Sequence, residues 1–143
     1  AAQRAGMTAI PALVRQMADE RAYEIALIEN AQREDLHAME EARAYETLMS
    51  RMSYTQEQAS KAVGKSRSHL ANTLRLLQLP APVQEPVLHG RLSAGHARAI
   101  LASDDQEGVA EQVVARQLSV RDTEALVRAK AAGPKKKGQQ AAE

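Results

Sequence analysis

Between Thr55 and Leu77 the chain reads TQEQASKAVGKSRSHLANTLRLL, and its polar side chains have types and spacing suited to gripping a nucleic acid. At 100° per residue, Leu74 and Leu77 fall within about 40° of Leu70, whereas Ser68, Asn72 and Arg75 lie roughly 140–200° away. Asparagine pairs bidentately with adenine, arginine with guanine, and serine with a base or a phosphate. Such a face suits a major groove. Lys65, Ser66 and Arg67 open the same helix, where backbone amides and cations favour phosphate oxygens, and His69 follows them. A second candidate is LSAGHARAI at 92–100, which puts His96 and Arg98 in the first turn of a capped helix. A lone histidine there equally suits packing or capping.

The elements that must position these groups are helices. Twenty-eight alanines, with many Leu, Glu, Gln, Arg and Met residues, give high helix propensity almost throughout. Thr55, with Gln58 three positions on, caps a short helix that Gly64 ends. Ser66 then caps a longer helix to about Leu79, stopped by Pro80. Ala59 and Val63 on the first helix face Leu70 on the second, and the glycine permits the sharp turn of a helix-turn-helix. The competing reading is a helical hairpin inside a bundle with an incidental polar face.

Upstream, a helix capped by Asp19 is expected to about Ile28. Another is expected from about Met39 to Met52, with Tyr45, Leu48, Met49 and Met52 on one buried face. Downstream, Pro82 opens a short helix closed by Gly90, Ser93 caps the next, and Asp104 or Asp105 opens one bearing Val109, Val113 and Val114. Ser119, with Asp122 three residues later, starts the last helix, to about Ala131. The one strand-like stretch is Ile10–Val14. A lone strand cannot pair with itself, so its sheet partners are expected elsewhere. The expected fold is mainly α, a multi-helix helix-turn-helix domain with a short β-strand remnant. Gly133 onward, including Lys135–Lys137, reads as a flexible basic linker or tail.

Charge supports the placement. The 143 residues carry a formal net charge of only +1, which by itself argues against a nucleic-acid partner. Resolved by position, residues 19–47 hold nine acids and three bases, whereas 61–98 hold six bases, one acid and three of the four histidines. The second block supplies a local positive field that the total hides. With no cysteine in the chain, a disulfide scaffold, a thiolate metal site and a cysteine nucleophile are excluded. No apolar run approaches the roughly 20 residues that span a bilayer. A soluble, intracellular, DNA-binding protein is expected.

The stretches IENAQREDL at 28–36, Glu40-Glu41-Ala42 leading to Tyr45, Thr55 to Pro80, LSAGHARAIL at 92–101 and LSVR at 118–121 occur in that order. Together they resemble the ParB partition-protein family over roughly residues 1–131. The resemblance implies a domain layout of 1–36 as the end of an N-terminal CTP-binding domain, 37–131 as the DNA-binding domain, and 132–143 as linker. It implies a cytoplasmic, nucleoid-associated homodimer that binds a palindromic parS site, works with a ParA-type ATPase, and slides on DNA as a CTP-switched clamp. A plasmid-type repressor that binds an operator is the alternative within the same fold.

By the same resemblance, Glu29-Asn30-Ala31-Gln32-Arg33 corresponds to the family's second phosphate motif. Asn30 and Glu29 would hold Mg²⁺, Arg33 would lie near the triphosphate, and Glu29 would serve hydrolysis. The chemistry is reasonable, because Mg²⁺ takes oxygen ligands and arginine offers a fork to phosphate. Without the resemblance, these residues read as an ordinary solvated helix face. The family's GERR-type phosphate box precedes the segment that corresponds to the start of this sequence. The chain as given is therefore expected to bind CTP poorly or not at all by itself. A C-terminal dimerisation domain is likewise not expected within it.

Overall fold

A computed structural model describes residues 3–14 and 16–133, and among these are eight α-helices. They are α1 (Asp19–Ala31), α2 (Ala38–Met52), α3 (Gln56–Val63), α4 (Arg67–Arg75), α5 (Ala81–Leu88), α6 (Ala94–Leu101), α7 (Gln106–Arg116) and α8 (Val120–Ala131). Local capping chemistry explains most of the boundaries. The Thr55 hydroxyl accepts from Gln58 N at 3.2 Å while Gln58 Oε1 accepts from Thr55 N at 2.9 Å. Ser66, Ser93, Asp105 and Ser119 each accept from a backbone N–H in the first turn of the helix that follows.

Two expectations need correction. Asp19 is the first helical residue rather than the cap; Ala18 occupies the cap position without a side-chain hydrogen bond. Asp19 and Glu20 instead favour the helix start through the positive end of its dipole. The α4 helix stops at Arg75, and residues Leu76–Gln78 tighten into a 3₁₀ turn. Pro80 forces this, because the residue before a proline avoids helical geometry, and Leu79 is extended at φ −66°, ψ 143°. No strand occurs among the described residues. Ile10–Val14 runs as irregular chain with Ile10, Leu13 and Val14 exposed, which leaves its backbone groups to water. The expected basic tail, apart from Ala132 and Gly133, lies outside the described residues.

Two hydrophobic clusters share α2 as their spine. One gathers Ala31, Ala44, Tyr45, Leu48, Ala59, Val63 and Leu70, so it packs α1, α3 and α4 onto α2. The other joins Met39 to Leu76, Leu79, Val83, Ile100, Val109, Val113 and Val127, and so carries the 3₁₀ turn and helices α5 to α8. Of the expected α2 face, Tyr45 and Leu48 are fully buried, and Met49 and Met52 half-buried. Ser60 is buried and donates its hydroxyl to the Glu57 carbonyl at 2.8 Å. Burial without a partner would cost it about 1–3 kcal/mol.

Candidate nucleic-acid interface

The reading unit is α3, a three-residue turn and α4. Gly64 closes α3 in the left-handed conformation at φ +71°, which glycine adopts without steric cost. The chain reverses there, with Lys65 N donating to the Ser60 carbonyl at 3.0 Å. Ser66 then caps α4 by accepting from His69 N at 3.0 Å. Ala59 and Val63 from α3 meet Leu70 from α4 against Tyr45 and Leu48, which fixes the angle of the pair. At the far end, the Gln84 side-chain amide donates to the carbonyls of Leu77 and Leu79 at 3.2 and 2.7 Å. That contact pins the exit of α4 to α5.

This frame leaves Lys65, Ser66, Arg67, Ser68, His69 and Arg75 exposed and Asn72 half-buried. Among the described residues, Lys65, Arg67, Arg75 and Arg98 enter no ion pair. Lys61, Arg91 and Lys130, by contrast, pair with Glu57, Glu85 and Asp105 at 3.0, 3.4 and 2.8 Å. The cations on and beside α4 are therefore not locked into close ion pairs, although Lys65 lies near enough to Glu41 and Arg67 to Glu57 for their charges to act on those carboxylates. Helix α6, which carries exposed Arg98, packs against α4 and the 3₁₀ turn.

Several candidate side chains already serve the fold. The Ser66 hydroxyl is committed to its cap. The His69 Nε2–H donates to Glu41 Oε1 on α2 at 2.8 Å, and the Tyr45 hydroxyl donates to the same oxygen. The His69 and Tyr45 rings meet edge to face, with centroids 6.4 Å apart. Burial opposes ionisation of Glu41, but the hydrogen bonds from His69 and Tyr45 and the charges of His69 and Lys65 outweigh it. They hold its carboxyl below the usual range. Burial and the Glu41 hydrogen bond push the Tyr45 phenol above its ordinary value.

His96 is similarly occupied. Its Nδ1 accepts from Ser93 N at 3.1 Å, and its Nε2 lies 2.9 Å from the Leu118 carbonyl. A carbonyl only accepts, so Nε2 carries the proton and Nδ1 is the acceptor. The ring thus caps the start of α6 and ties it to the turn between α7 and α8. Sequence reasoning missed Glu41 as a partner of α4 and Gln84 as the clamp on its exit. Glu41 and Tyr45 stand four residues apart on one helix, but no spacing along the chain links them to His69.

The segment carrying the suggested nucleotide residues leaves α1 beside the C-terminal end of α3, where the Gln32 side-chain amide donates to the Ala62 carbonyl at 3.4 Å. Glu29 and Asn30 are exposed at the C-terminal end of α1, while Ala31 beside them is buried. Arg33 pairs with Asp35 at 3.2 Å, both well exposed. Exposed carboxylate and amide oxygens suit Mg²⁺, and so weak a surface pair leaves the guanidinium free to turn to a phosphate. The residues fit as part of a metal–nucleotide site. They do not form a whole one, since no group of three His, Cys, Asp or Glu side chains able to hold a metal occurs among the described residues.

An amphipathic helix pair closed by a glycine turn, with unpaired cations on its outer helix, defines a helix-turn-helix DNA-binding protein. The ParB HTH domain matches residues 34–132, and the chain belongs to the ParB family. It is 52% identical over 128 residues to a chromosome-partitioning protein ParB of Caulobacter vibrioides, covering 90% of this chain and 42% of that protein. The chain therefore spans well under half of that relative. A C-terminally truncated ParB from Caulobacter crescentus, complexed to the centromeric parS site, superposes with a TM-score of 0.76 at 51% identity. The match covers 90% of this chain and 68% of that one. A ParB DNA-binding domain, also complexed to parS, gives a TM-score of 0.70 at 48% identity over 88% of this chain and all of that one. No helix among the described residues is long and apolar enough to cross a membrane.

Proposed function

We propose that this chain is the DNA-reading part of a chromosome-partition protein and binds a palindromic parS-type site by laying α4 in the major groove. The observation that carries the reading is the α3–turn–α4 unit, whose outer helix carries or adjoins Lys65, Arg67 and Arg75, none of them in a close ion pair among the described residues. In this reading Lys65, Ser66 and Arg67 hold phosphates, and His69 stands beside them. Ser68, Asn72 and Arg75 face base edges, with Asn72 suited to adenine and Arg75 to guanine. Arg98 adds a phosphate contact from α6, and His96 supports it from within. A palindrome requires two copies related by a two-fold axis, so the working unit is a homodimer.

In the longer protein, Glu29 and Asn30 would hold the Mg²⁺ of a bound CTP, Arg33 would meet its triphosphate, and Glu29 would serve hydrolysis. The nucleotide's phosphates would supply the remaining metal ligands. Helix α1 packs on α2 and α3, so this segment stands on the same helical unit as the DNA-reading helix. A ParA-type ATPase partner and association with the nucleoid follow from the partition role. The test is Arg75→Ala. Loss of a bidentate base contact should weaken the parS-type site by about 1–3 kcal/mol and scrambled DNA much less. Equal losses on both duplexes would contradict base reading by Arg75.

A further inference from the structure

Glu41 lies on the spine helix α2, carries a negative charge, and sits among the cations that open α4. By charge alone it should oppose DNA. Its carboxylate is nonetheless built into the fold: one oxygen accepts from both His69 Nε2–H and the Tyr45 hydroxyl, and the Glu41 side chain is only 21% exposed. Tyr45 is fully buried, whereas the His69 side chain is 44% exposed. The contact thus runs from the core of the first hydrophobic cluster, through Glu41, to the first turn of the reading helix. His69 is also the residue whose backbone N–H bonds the Ser66 cap, so its ring and its amide anchor the same turn from two directions.

We propose that Glu41 and Tyr45 are positioning residues that lock α4 through His69, setting the orientation in which Ser68, Asn72 and Arg75 meet DNA. This rests on the DNA-reading function given above and extends it to two residues that need not touch the nucleic acid. A hydrophobic contact between Leu70 and its neighbours allows α4 to roll or slide slightly. A charge-assisted hydrogen bond near 2.8 Å does not, because it is short and directional. The lock holds the end of α4 nearest the turn, and Gln84 holds the other end. Base reading needs such precision, since a misplaced side chain loses its bidentate geometry.

The test measures binding of the wild type, Glu41→Gln, Tyr45→Phe, His69→Gln and His69→Ala to a parS-type duplex and a scrambled one. Amide hydrogen exchange on the free proteins accompanies it. Glu41→Gln and Tyr45→Phe should each weaken the parS-type complex about threefold to tenfold and the scrambled complex less, as expected for a partly exposed charge-assisted bond. His69→Gln, whose amide can still donate to Glu41, should retain more affinity than His69→Ala. Adding Glu41→Gln to His69→Ala should cost nothing further. In the free protein, Glu41→Gln should speed exchange in residues 67–72 and leave α7 and α8 unchanged.

Tighter binding of both duplexes by Glu41→Gln would overturn the proposal, because it would reduce Glu41 to a repulsive charge. Additive losses in the double variant would overturn it too, and so would unchanged exchange in α4. If the wild type itself did not distinguish the two duplexes, the DNA-reading function would fail. The exchange measurement would still judge the lock on its own.

Discussion

Replacing His96 by alanine separates a brace from a DNA contact. The substitution removes the acceptor for Ser93 N–H at 3.1 Å and the donor to the Leu118 carbonyl at 2.9 Å. A neutral hydrogen bond contributes about 0.5–1.5 kcal/mol net, so two give about 1–3 kcal/mol, and partial exposure of the ring favours the lower half. A loss of about 1–2 kcal/mol in a chain of this size lowers Tm by roughly 3–8 °C. Thermal unfolding followed by far-UV circular dichroism measures it. DNA affinity, taken well below both unfolding temperatures, should change by no more than about twofold, equivalent to about 0.4 kcal/mol. An unchanged Tm with a large loss of affinity on both parS-type and scrambled duplexes would refute the reasoning and make His96 a phosphate contact.

Three further outcomes follow from the same geometry. Gly64→Ala should destabilise the chain by about 1–2 kcal/mol in urea unfolding, because φ is +71°, although the space beside it is open to a methyl group. Leu70→Ala, at a fully buried position between α3 and α4, should cost about 2.5–5 kcal/mol and abolish DNA binding at temperatures where the other variants still bind. For Glu41, the hydrogen bonds from His69 and Tyr45 outweigh burial and hold the folded carboxyl below the usual glutamate range. Its contribution is present above the ordinary, unfolded-state range and is lost as pH falls through the lower, folded-state pKa, so the wild type and Glu41→Gln should converge in stability on acidification.

The boundaries readable from sequence were those set by local chemistry. Thr55 with Gln58, Gly64, Ser66, Ser93 and Ser119 each act within one turn of the residue that specifies them, and the structure has each where its spacing puts it. The apolar rows that join α3 to α4 were legible for the same reason. Contacts between distant segments were not. Glu41 meets His69 across 28 residues and His96 meets Leu118 across 22, and neither pairing leaves a periodic trace in the chain. Asp19 misled because an acid one place inside a helix start looks like one at the cap, and both positions are favourable. Ile10–Val14 forms no strand among the described residues, since β-branched and large apolar residues pair into one only where another strand is present.

The central claim, that α4 reads a specific sequence while the surrounding cations hold phosphates, is tested most directly by titrating a parS-type palindrome and a scrambled duplex across a range of salt concentrations. Both affinities should fall with similar slopes as counterions compete for the phosphate contacts, and a gap between them should persist at the highest salt at which binding is measurable. Two curves that merge as the salt rises would leave only phosphate attraction and contradict the account.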